Sequence, residues 1–319
     1  MAPVFKTLTR LVLAVAPVFA AALAGGATLT LSKVQEKLGL PERTGGTNLV
    51  TIADGTNSLT FRPGYRRMSL NGTAMWLNSP ANADFREVMT LDGADLSRFL
   101  SPLLTGRPMA QTNRAFRVFL DPGHGGEDSG AISKVNGLVE KDLVLDVADR
   151  VGAWLEDAGL EVVFSRTNDV FVSLDERSAL AKKAKADVFV SIHANITAGT
   201  TARGAETFAL TLAGRESTSS DSSIGNAERP GNAFDAGSAW LGYAVHSRLP
   251  GRRGEADRGF RRARFQVLRL APCPAVLVEL GFLSNPSEVR SLSSGRFREK
   301  TAKAIADGII EYAEKARSK

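Results

Sequence analysis

The C-terminal two-thirds of the sequence alternates short apolar segments with segments of helical periodicity. In segment 139–158, for example, Val144, Val147 and Val151 recur at helical spacing, and Gly159 follows as a stop signal. Strands that alternate with helices are joined by crossover connections, which make neighbouring strands parallel. We therefore predict an α/β domain in which a mostly parallel sheet is covered by helices on both faces.

The individual elements of this domain follow from the same patterns. A capping box of Ser173 and Glu176 marks one helix start, and Asn285 before Pro286 marks another. We predict strands at 118–120, 160–165, 187–193, 207–210, 265–268 and 275–280, and helices at 139–158, 173–186, 236–249 and 297–317. Segment 213–235 is predicted as a loop. In sheets of this class, ligands bind beyond the carboxyl ends of the strands.

A small α+β accessory domain is predicted at residues 33–112, ahead of the larger domain at 113–319. Its Asn71-Gly72 pair is the strongest two-residue signal for a β-hairpin turn. A helix is expected at 91–104, before a linker. Because this part of the sequence has no histidine and no catalytic cluster, we expect it to be an accessory unit.

Residues 1–24 have the pattern of a signal peptide. Lys6 and Arg10 form a basic start, an apolar run covers residues 11–23, and small residues at 22 and 24 offer a cleavage site. The apolar run is shorter than the roughly 20 residues that a membrane-spanning helix needs. We therefore expect an exported protein, periplasmic or associated with the cell envelope, whose mature chain begins near Gly25. Retention of the segment as a membrane anchor is the alternative.

Charge and cysteine content narrow the class of partner. The formal net charge is +6, and the single cysteine, Cys273, excludes an internal disulfide. A net positive charge favours an acidic partner. We expect no nucleic acid, because the protein is expected outside the cytoplasm and lacks the aromatic–basic interleaving that binds single strands. A polymer that carries carboxylates fits better.

Two of the three histidines end predicted strands. His124 lies in the Pro-Gly-His-Gly-Gly turn after the first strand, His193 ends the third, and Glu279 lies at the end of another. We expect these side chains to converge at one edge of the sheet. Two histidines and one acidic residue suit a catalytic zinc ion, which keeps its fourth position for water. His246 falls within a helical segment, so we predict a partly exposed structural histidine there.

The third metal ligand should be acidic, and the spacing leaves its identity open. The candidates are Glu127, Asp128, Glu140 and Asp142. Glu140 opens the helix that follows the His124 turn, over the same edge of the sheet. An acidic residue there would equally stabilise the N-terminus of the helix, so residue chemistry alone does not choose.

The segment from about residue 117 to residue 312 resembles one known family, and six motifs carry the resemblance. They are DPGHGGEDSGA, NGLVEKDLVLDVA, FSRTNDVFVSLDERSALA, DVFVSIHAN, DRGFRRARFQVLR and PAVLVELGFLSNPSE. In this order they are similar to the zinc-dependent N-acetylmuramoyl-L-alanine amidases of the amidase-3 type. The resemblance implies that His124, Glu140 and His193 bind Zn²⁺ and that Glu279 is catalytic. It also implies a supporting role for Asn195.

The resemblance further implies the reaction. Such enzymes hydrolyse the amide bond between the lactyl group of N-acetylmuramic acid and L-alanine, which removes stem peptides from the glycan strands of peptidoglycan. Zinc polarises the carbonyl and acidifies water, and a carboxylate such as Glu279 moves the proton to the departing amine. The alternatives are another zinc peptidoglycan hydrolase, such as a carboxypeptidase, and a non-catalytic wall-binding module. The need for an activator protein stays open.

Two further expectations concern substrate contacts and the accessory domain. Seven arginines fall between Arg252 and Arg269. Most are expected to be solvated, and Arg261, Arg262 and Arg264 are the candidates for one or two contacts with stem-peptide carboxylates.

Because every candidate site residue follows residue 117, we expect a fragment that begins near residue 111 to retain activity.

Overall fold

The computed structural model describes residues 28–46, 48–83, 89–106, 114–218, 225, 227–249 and 257–317. The predicted signal peptide and the segment 107–113 between the two predicted domains lie outside these ranges. Among the described helices, none combines the length and the apolar character that crossing a membrane requires.

Residues 28–106, here called the front unit, consist mainly of short strands. The elements are β1 (Thr28–Thr30), α1 (Leu31–Leu38), β2 (Glu42–Gly45), β3 (Val50–Ala53), β4 (Ser58–Phe61), β5 (Arg67–Leu70), β6 (Thr73–Trp76), β7 (Asn82–Ala83) and β8 (Met89–Asp92). A helical segment, α2, follows, with α-helical turns at Gly93–Asp95 and Ser101–Thr105 around a π-helical stretch at Leu96–Leu100. The predicted hairpin is confirmed, since β5 and β6 pair across Asn71 and Gly72, whose φ angles are 49° and 79°.

The rest of the chain alternates strands and helices. Its elements are β9 (Arg117–Pro122), α3 (Glu140–Asp157), β10 (Glu161–Phe164), α4 (Leu174–Lys183), β11 (Val188–Asn195), β12 (Glu206–Leu210), a 3-10 turn (Pro230–Phe234), α5 (Asp235–His246), β13 (Phe260–Ala263), α6 (Gln266–Arg269), β14 (Ala275–Phe282), α7 (Pro286–Leu292) and α8 (Gly295–Arg317). Ser173 and Glu176 form the predicted capping box of α4, and Asn285 caps α7.

One sheet runs through both parts of the described chain. Its strand order is β10-β9-β11-β14-β12-β13-β6-β5-β4-β3-β2. Strands β10, β9, β11 and β14 are parallel, whereas β12 is antiparallel to β14 and parallel to β13. The predicted mostly parallel α/β sheet is thereby confirmed. Met75 of β6 is the register partner of Phe260 of β13, so the front unit extends the same sheet.

Successive side chains of a strand point to opposite faces of the sheet, and in the parallel strands the side chains on both faces are buried. Val118 and Leu120 belong to the larger apolar core, which includes residues of α3 and α8. Phe119 and Phe189 stack with ring centroids 5.5 Å apart in a second core, which includes Ala181 of α4. Helices therefore cover both faces of the sheet, as predicted.

The predicted strand at 265–268 is wrong. Residues Gln266–Arg269 form the short helix α6, and the strand of this region is β13, which lies just before it. Two charged residues in β13 hid this strand in the sequence. The structure accommodates them on aromatic rings, because the guanidinium carbon of Arg262 lies 4.4 Å from the ring centroid of Phe99 and that of Arg261 lies 4.9 Å from Trp76.

The helix predicted at 91–104 begins two residues later than expected. Leu91 lies in β8, and the helical segment starts at Gly93. The carboxylate of Asp92 accepts hydrogen bonds from the backbone N–H groups of Ala94 and Asp95, at 2.9 and 3.2 Å. Asp92 is thus the N-cap, and this cap separates the strand from the helix.

Candidate active site

The turn after β9 places His124 at the carboxyl edge of the sheet. His124 has a φ angle of 59°, a left-handed value that non-glycine residues rarely adopt. Two buried arginines hold the turn. Arg166 donates to the carbonyl oxygens of Pro122 and Gly123, and Arg177 donates to that of His124 at 2.9 Å. These bonds satisfy backbone oxygens that the tight turn would otherwise leave unpaired.

His124, Glu140 and His193 meet in one cluster, in which one potential ligand atom of each lies within 4.8 Å of the others. Oε1 of Glu140 lies 3.0 Å from Nε2 of His124 and 3.0 Å from Nδ1 of His193. The three residues come from the turn after β9, the first position of α3 and the end of β11. The fold therefore brings together three side chains that the sequence pattern places after one strand, at the end of another strand and at the start of a helix.

Hydrogen bonds fix the orientation of this cluster. The backbone N–H of Ala194 donates to Oε1 of Glu140 at 3.0 Å, and that of Ala131 donates to Oε2 at 2.8 Å. Nδ1 of His124 is hydrogen-bonded to Oδ2 of Asp128 at 2.8 Å. This bond leaves Nε2 of His124 facing Glu140. A carboxylate on the far nitrogen of a histidine is the usual support of a metal ligand.

Two glycines make room for the cluster. A β-carbon at Gly130 would lie 2.6 Å from Cδ2 of His124 and 2.7 Å from Oε2 of Glu140. A β-carbon at Gly123 would overlap the imidazole ring of His193. The glycines of the DPGHGGEDSG stretch are therefore needed for the close approach of the three side chains.

The charges in the cluster support one another. Burial opposes ionisation of Glu140, but hydrogen bonds from the rings of His124 and His193 outweigh it and lower the pKa of Glu140. Burial likewise opposes the charged form of His124, and its bonds with Glu140 and Asp128 outweigh this effect and raise its pKa. The site thus holds an ionised carboxylate between two imidazole rings, a donor set that suits a divalent cation.

Glu279 lies on β14, next to the cluster. Its register partner on the neighbouring parallel strand is His193. The side chain is buried, and among the described residues its Oε2 atom has no hydrogen-bond partner. Burial, and then the charges of Glu140 and Glu206, raise the pKa of Glu279 well above its usual value. A carboxyl group with an unsatisfied buried oxygen beside the cluster is placed to interact with a ligand there.

Three other acidic candidates lie outside the cluster. Asp128 contacts the far side of the His124 ring, and Glu127 and Asp142 are exposed to solvent. Among the candidates named from the sequence, Glu140 is therefore the carboxylate that the fold places between the two histidines.

His246 also lies outside the cluster, as predicted, but the prediction that it is partly exposed is wrong. Its ring is fully buried, at 0% exposure. Its nitrogens are hydrogen-bonded to Oγ1 of Thr207 at 2.9 Å and to Oδ1 of Asp257 at 3.0 Å. These partners come from other elements, so the helical pattern around His246 could not show them.

The three arginines considered as substrate contacts bind the protein itself. Arg262 is fully buried and donates to the carbonyl oxygen of Leu210 at 3.1 Å. Arg264 donates to Oγ of Ser217 at 3.1 Å, and Arg261 binds the carboxylate of Glu206. Because protein groups already engage these three guanidiniums, the structure does not favour the predicted contacts of these arginines with stem-peptide carboxylates.

Glu206 and Arg258 were overlooked in the sequence. Glu206 on β12 is the register partner of Glu279, and its Oε1 lies 3.0 Å from Nε of Arg258. Its Oε2 accepts a hydrogen bond from Nδ2 of Asn195 at 3.2 Å. The one available signal was a glutamate at the start of an otherwise apolar segment, ETFAL.

Residues 118–311 match the amidase-3 family, which is described as N-acetylmuramoyl-L-alanine amidase. The chain is similar to the N-acetylmuramoyl-L-alanine amidase LytC of Bacillus subtilis, with 38% identity over 195 residues, or 61% of this chain and 35% of LytC. It is also similar to the amidase AmiC of Neisseria meningitidis serogroup B, with 37% identity over 242 residues, or 69% of this chain and 57% of AmiC. The match thus spans about a third of LytC and somewhat over half of AmiC.

Solved structures show the same relationship. The catalytic domain of the amidase CwlV from Bacillus (Paenibacillus) polymyxa var. colistinus matches with a TM-score of 0.52 and 35% identity, over 62% of this chain and 98% of that one. An N-acetylmuramoyl-L-alanine amidase from Clostridium difficile 630 matches with a TM-score of 0.51 and 34% identity, over 63% and 97%. The amidase CwlD from Clostridioides difficile, solved in complex with the lipoprotein GerS, matches with a TM-score of 0.50 and 25% identity, over 62% and 98%.

Proposed function

The chain belongs to the amidase-3 family of N-acetylmuramoyl-L-alanine amidases, and we propose that it is a zinc-dependent hydrolase of peptidoglycan. The bond cleaved is the amide between the lactyl group of N-acetylmuramic acid and L-alanine, so stem peptides are released from the glycan strands. One observation carries the proposal. His124, Glu140 and His193 form a single cluster, and the buried carboxyl of Glu279 lies on the adjoining strand.

Zinc fits the donor set of this cluster. Two imidazole nitrogens and one carboxylate oxygen are a common ligand set of catalytic zinc, which keeps a further position for water or substrate. The side chains of His124 and His193 are partly exposed, at 22% and 19%, so the cluster is open on one side. When bound, zinc would polarise the scissile carbonyl and lower the pKa of water toward about 7.

The residues of the chain itself position the proposed zinc ligands and transfer the proton. Asp128 holds the ring of His124 through Nδ1, and the backbone N–H groups of Ala131 and Ala194 hold Glu140. Glu279 is proposed to accept a proton from the attacking water and to deliver it to the departing amine of L-alanine. Such proton transfer contributes about a hundredfold or more to rate, because an amine leaves an amide readily only when it is protonated.

We also propose that the protein acts outside the cytoplasm. This proposal depends on the sequence pattern of residues 1–24 and on the polymer that the family acts on.

A boundary between the accessory domain and the catalytic domain near residue 112 remains our proposal for the domain organisation. CwlD was solved with a partner lipoprotein, so a partner protein that activates this chain is proposed as well.

The bond specificity can be tested by product analysis. Zinc-loaded protein is incubated with purified peptidoglycan, and the products are identified by mass spectrometry and end-group labelling. We expect new L-alanine amino termini and no new reducing sugar ends. New reducing ends would show a glycosidase, and new termini within the stem peptide would show a carboxypeptidase or another peptidase. Either result would contradict the proposal.

A further inference from the structure

Arg258 lies beside the candidate catalytic residues and is not used by the proposed chemistry. Its Nε atom lies 3.0 Å from Oε1 of Glu206, the register partner of Glu279. Its guanidinium carbon lies 4.9 Å from the ring centroid of Phe282, at the end of the same strand as Glu279. The guanidinium is therefore held on two sides, by a carboxylate and by an aromatic ring.

The end of this guanidinium is available for a ligand. Among the described residues, neither terminal nitrogen of Arg258 has a hydrogen-bond partner, and 32% of the side chain is exposed. Arg261 also binds Glu206, so two guanidiniums share one carboxylate. A guanidinium with two free nitrogens binds a carboxylate in bidentate fashion.

The position of Arg258 matches a particular group of the substrate. His193, Glu279 and Glu206 are successive register partners on β11, β14 and β12. Because neighbouring strands lie about 4.8 Å apart, the backbone of Glu206 lies about 10 Å from that of His193. An extended peptide advances about 3.5 Å per residue, so the second residue of a stem peptide lies about 7 Å from a scissile carbonyl at the cluster, and the long side chain of Arg258 covers the remaining distance.

The front unit fixes the backbone that carries Arg258. The indole Nε1–H of Trp76 donates to the carbonyl oxygen of Arg258 at 2.8 Å, and Nη2 of Arg67 donates to that of Asp257 at 2.8 Å. The carboxylate of Asp257 in turn accepts a hydrogen bond from the backbone N–H of Ala74. Arg258 is thus presented by a backbone segment that strands β5 and β6 hold in place.

We propose that Arg258 binds the free α-carboxylate of the second stem residue, D-glutamate, and so selects peptidoglycan in which this group is not amidated. This inference rests on the proposed function. Arg258 is a specificity-determining residue in this scheme, and it takes no part in proton transfer.

Two soluble substrates test the inference. Both are N-acetylmuramoyl tripeptides with L-lysine as third residue, and they differ only in carrying D-glutamate or its α-carboxamide, D-isoglutamine, as second residue. We expect the wild-type protein to show a kcat/KM about tenfold or more higher for the carboxylate, because a hydrogen bond to a charged group has that worth. In Arg258→Gln the ratio should fall to about one, mainly through a higher KM for the carboxylate substrate.

Matched variants separate the outcomes. Arg258→Lys should keep only part of the preference, because lysine lacks the bidentate fork. Arg296→Gln, which removes an exposed arginine of α8, should keep the wild-type ratio. A wild-type ratio near one, an unchanged ratio in Arg258→Gln, or an equal loss on both substrates would overturn the inference. If the wild-type protein releases L-alanine amino termini from neither substrate, the proposed function itself fails.

Discussion

The indole Nε1–H of Trp76 donates a hydrogen bond of 2.8 Å to the carbonyl oxygen of Arg258, and this bond joins the front unit to the edge of the candidate active site. The ring of Trp76 also lies 4.9 Å from the guanidinium carbon of Arg261. Arg258 and Arg261 both bind Glu206, which is the register partner of Glu279 on the neighbouring strand. The front unit is therefore in direct contact with the residues that border the candidate metal cluster.

Trp76→Phe tests this contact, since it keeps an aromatic ring and removes the N–H donor. We expect bound zinc to stay unchanged and kcat/KM for the carboxylate tripeptide to fall about two- to tenfold, the worth of one hydrogen bond. Trp154→Phe is the matched control, because the indole of Trp154 donates to Glu299, outside the cluster. Equal effects of the two variants would show that the front unit does not influence the site.

This contact changes one expectation from the sequence. The sequence predicts that a fragment that begins near residue 111 retains activity, because the candidate catalytic residues all follow that point. The contacts of Trp76 and Arg67 with the backbone at Asp257 and Arg258 lead us to expect that such a fragment would lose substrate selectivity even if it retained zinc.

Gly130→Ala tests the close packing of the cluster. A β-carbon at Gly130 would lie 2.6 Å from the ring of His124, and the φ angle of this residue is 62°. We expect zinc affinity to fall by at least tenfold, because displaced ligands bind metal poorly. Gly137→Ala is the control, since Gly137 has a φ angle of 77° but nothing within 4 Å of its β-carbon position. The control should lose about 1 kcal/mol of stability from backbone strain and keep its zinc affinity. Similar zinc affinities in both variants would contradict the packing argument.

A pH dependence of stability follows from Asp235. Burial raises the pKa of Asp235 to about 6, although Arg262, Asn232 and Arg98 counteract this effect. Between about pH 4 and pH 6 the unfolded chain releases this proton while the folded chain keeps it. The unfolded state then binds fewer protons, so the contribution of Asp235 to the free energy of unfolding falls as pH rises, by about 3 kcal/mol at most.

Chemical denaturation of the wild-type protein and of Asp235→Asn across this pH range checks the effect. The wild-type free energy of unfolding should fall relative to that of the variant between pH 4 and pH 6, and the difference should level off above that range. Asp307→Asn, at a half-exposed position of α8, should follow the wild-type protein. Parallel curves for the wild-type protein and Asp235→Asn would show that Asp235 titrates normally.

The convergence of His124, His193 and Glu279 was predictable because parallel strands end at a common edge. The choice of Glu140 over its acidic neighbours was not predictable from spacing. The start of α3 relative to His124 depends on a turn that Arg166 and Arg177 hold from elsewhere in the chain.

The pairing of strands that are far apart in the sequence was not predictable either. Strand β12 is antiparallel to β14, and β13 joins β6 of the front unit. These pairings place Glu206 beside Glu279 and Trp76 beside Arg258. The local patterns of polar and apolar residues predict that strands exist, but they do not determine which strands pair across such separations.

Metal binding and proton transfer are expected to separate by mutation. His124→Ala and His193→Ala each remove a proposed ligand, so bound zinc and turnover should fall together. Glu279→Gln keeps the size of the side chain and removes the proposed proton acceptor. It should therefore affect turnover and leave the metal in place.

The proposed proton transfer by Glu279 is tested most directly by a paired measurement on Glu279→Gln. Zinc content is determined by mass spectrometry, and release of L-alanine amino termini from muramoyl peptides is determined in the same preparation. We predict one zinc per chain in both the variant and the wild-type protein, and a turnover of the variant lower by about a hundredfold or more. Near-normal turnover with zinc in place would contradict the proposed role of Glu279, because the proton acceptor would then be another group.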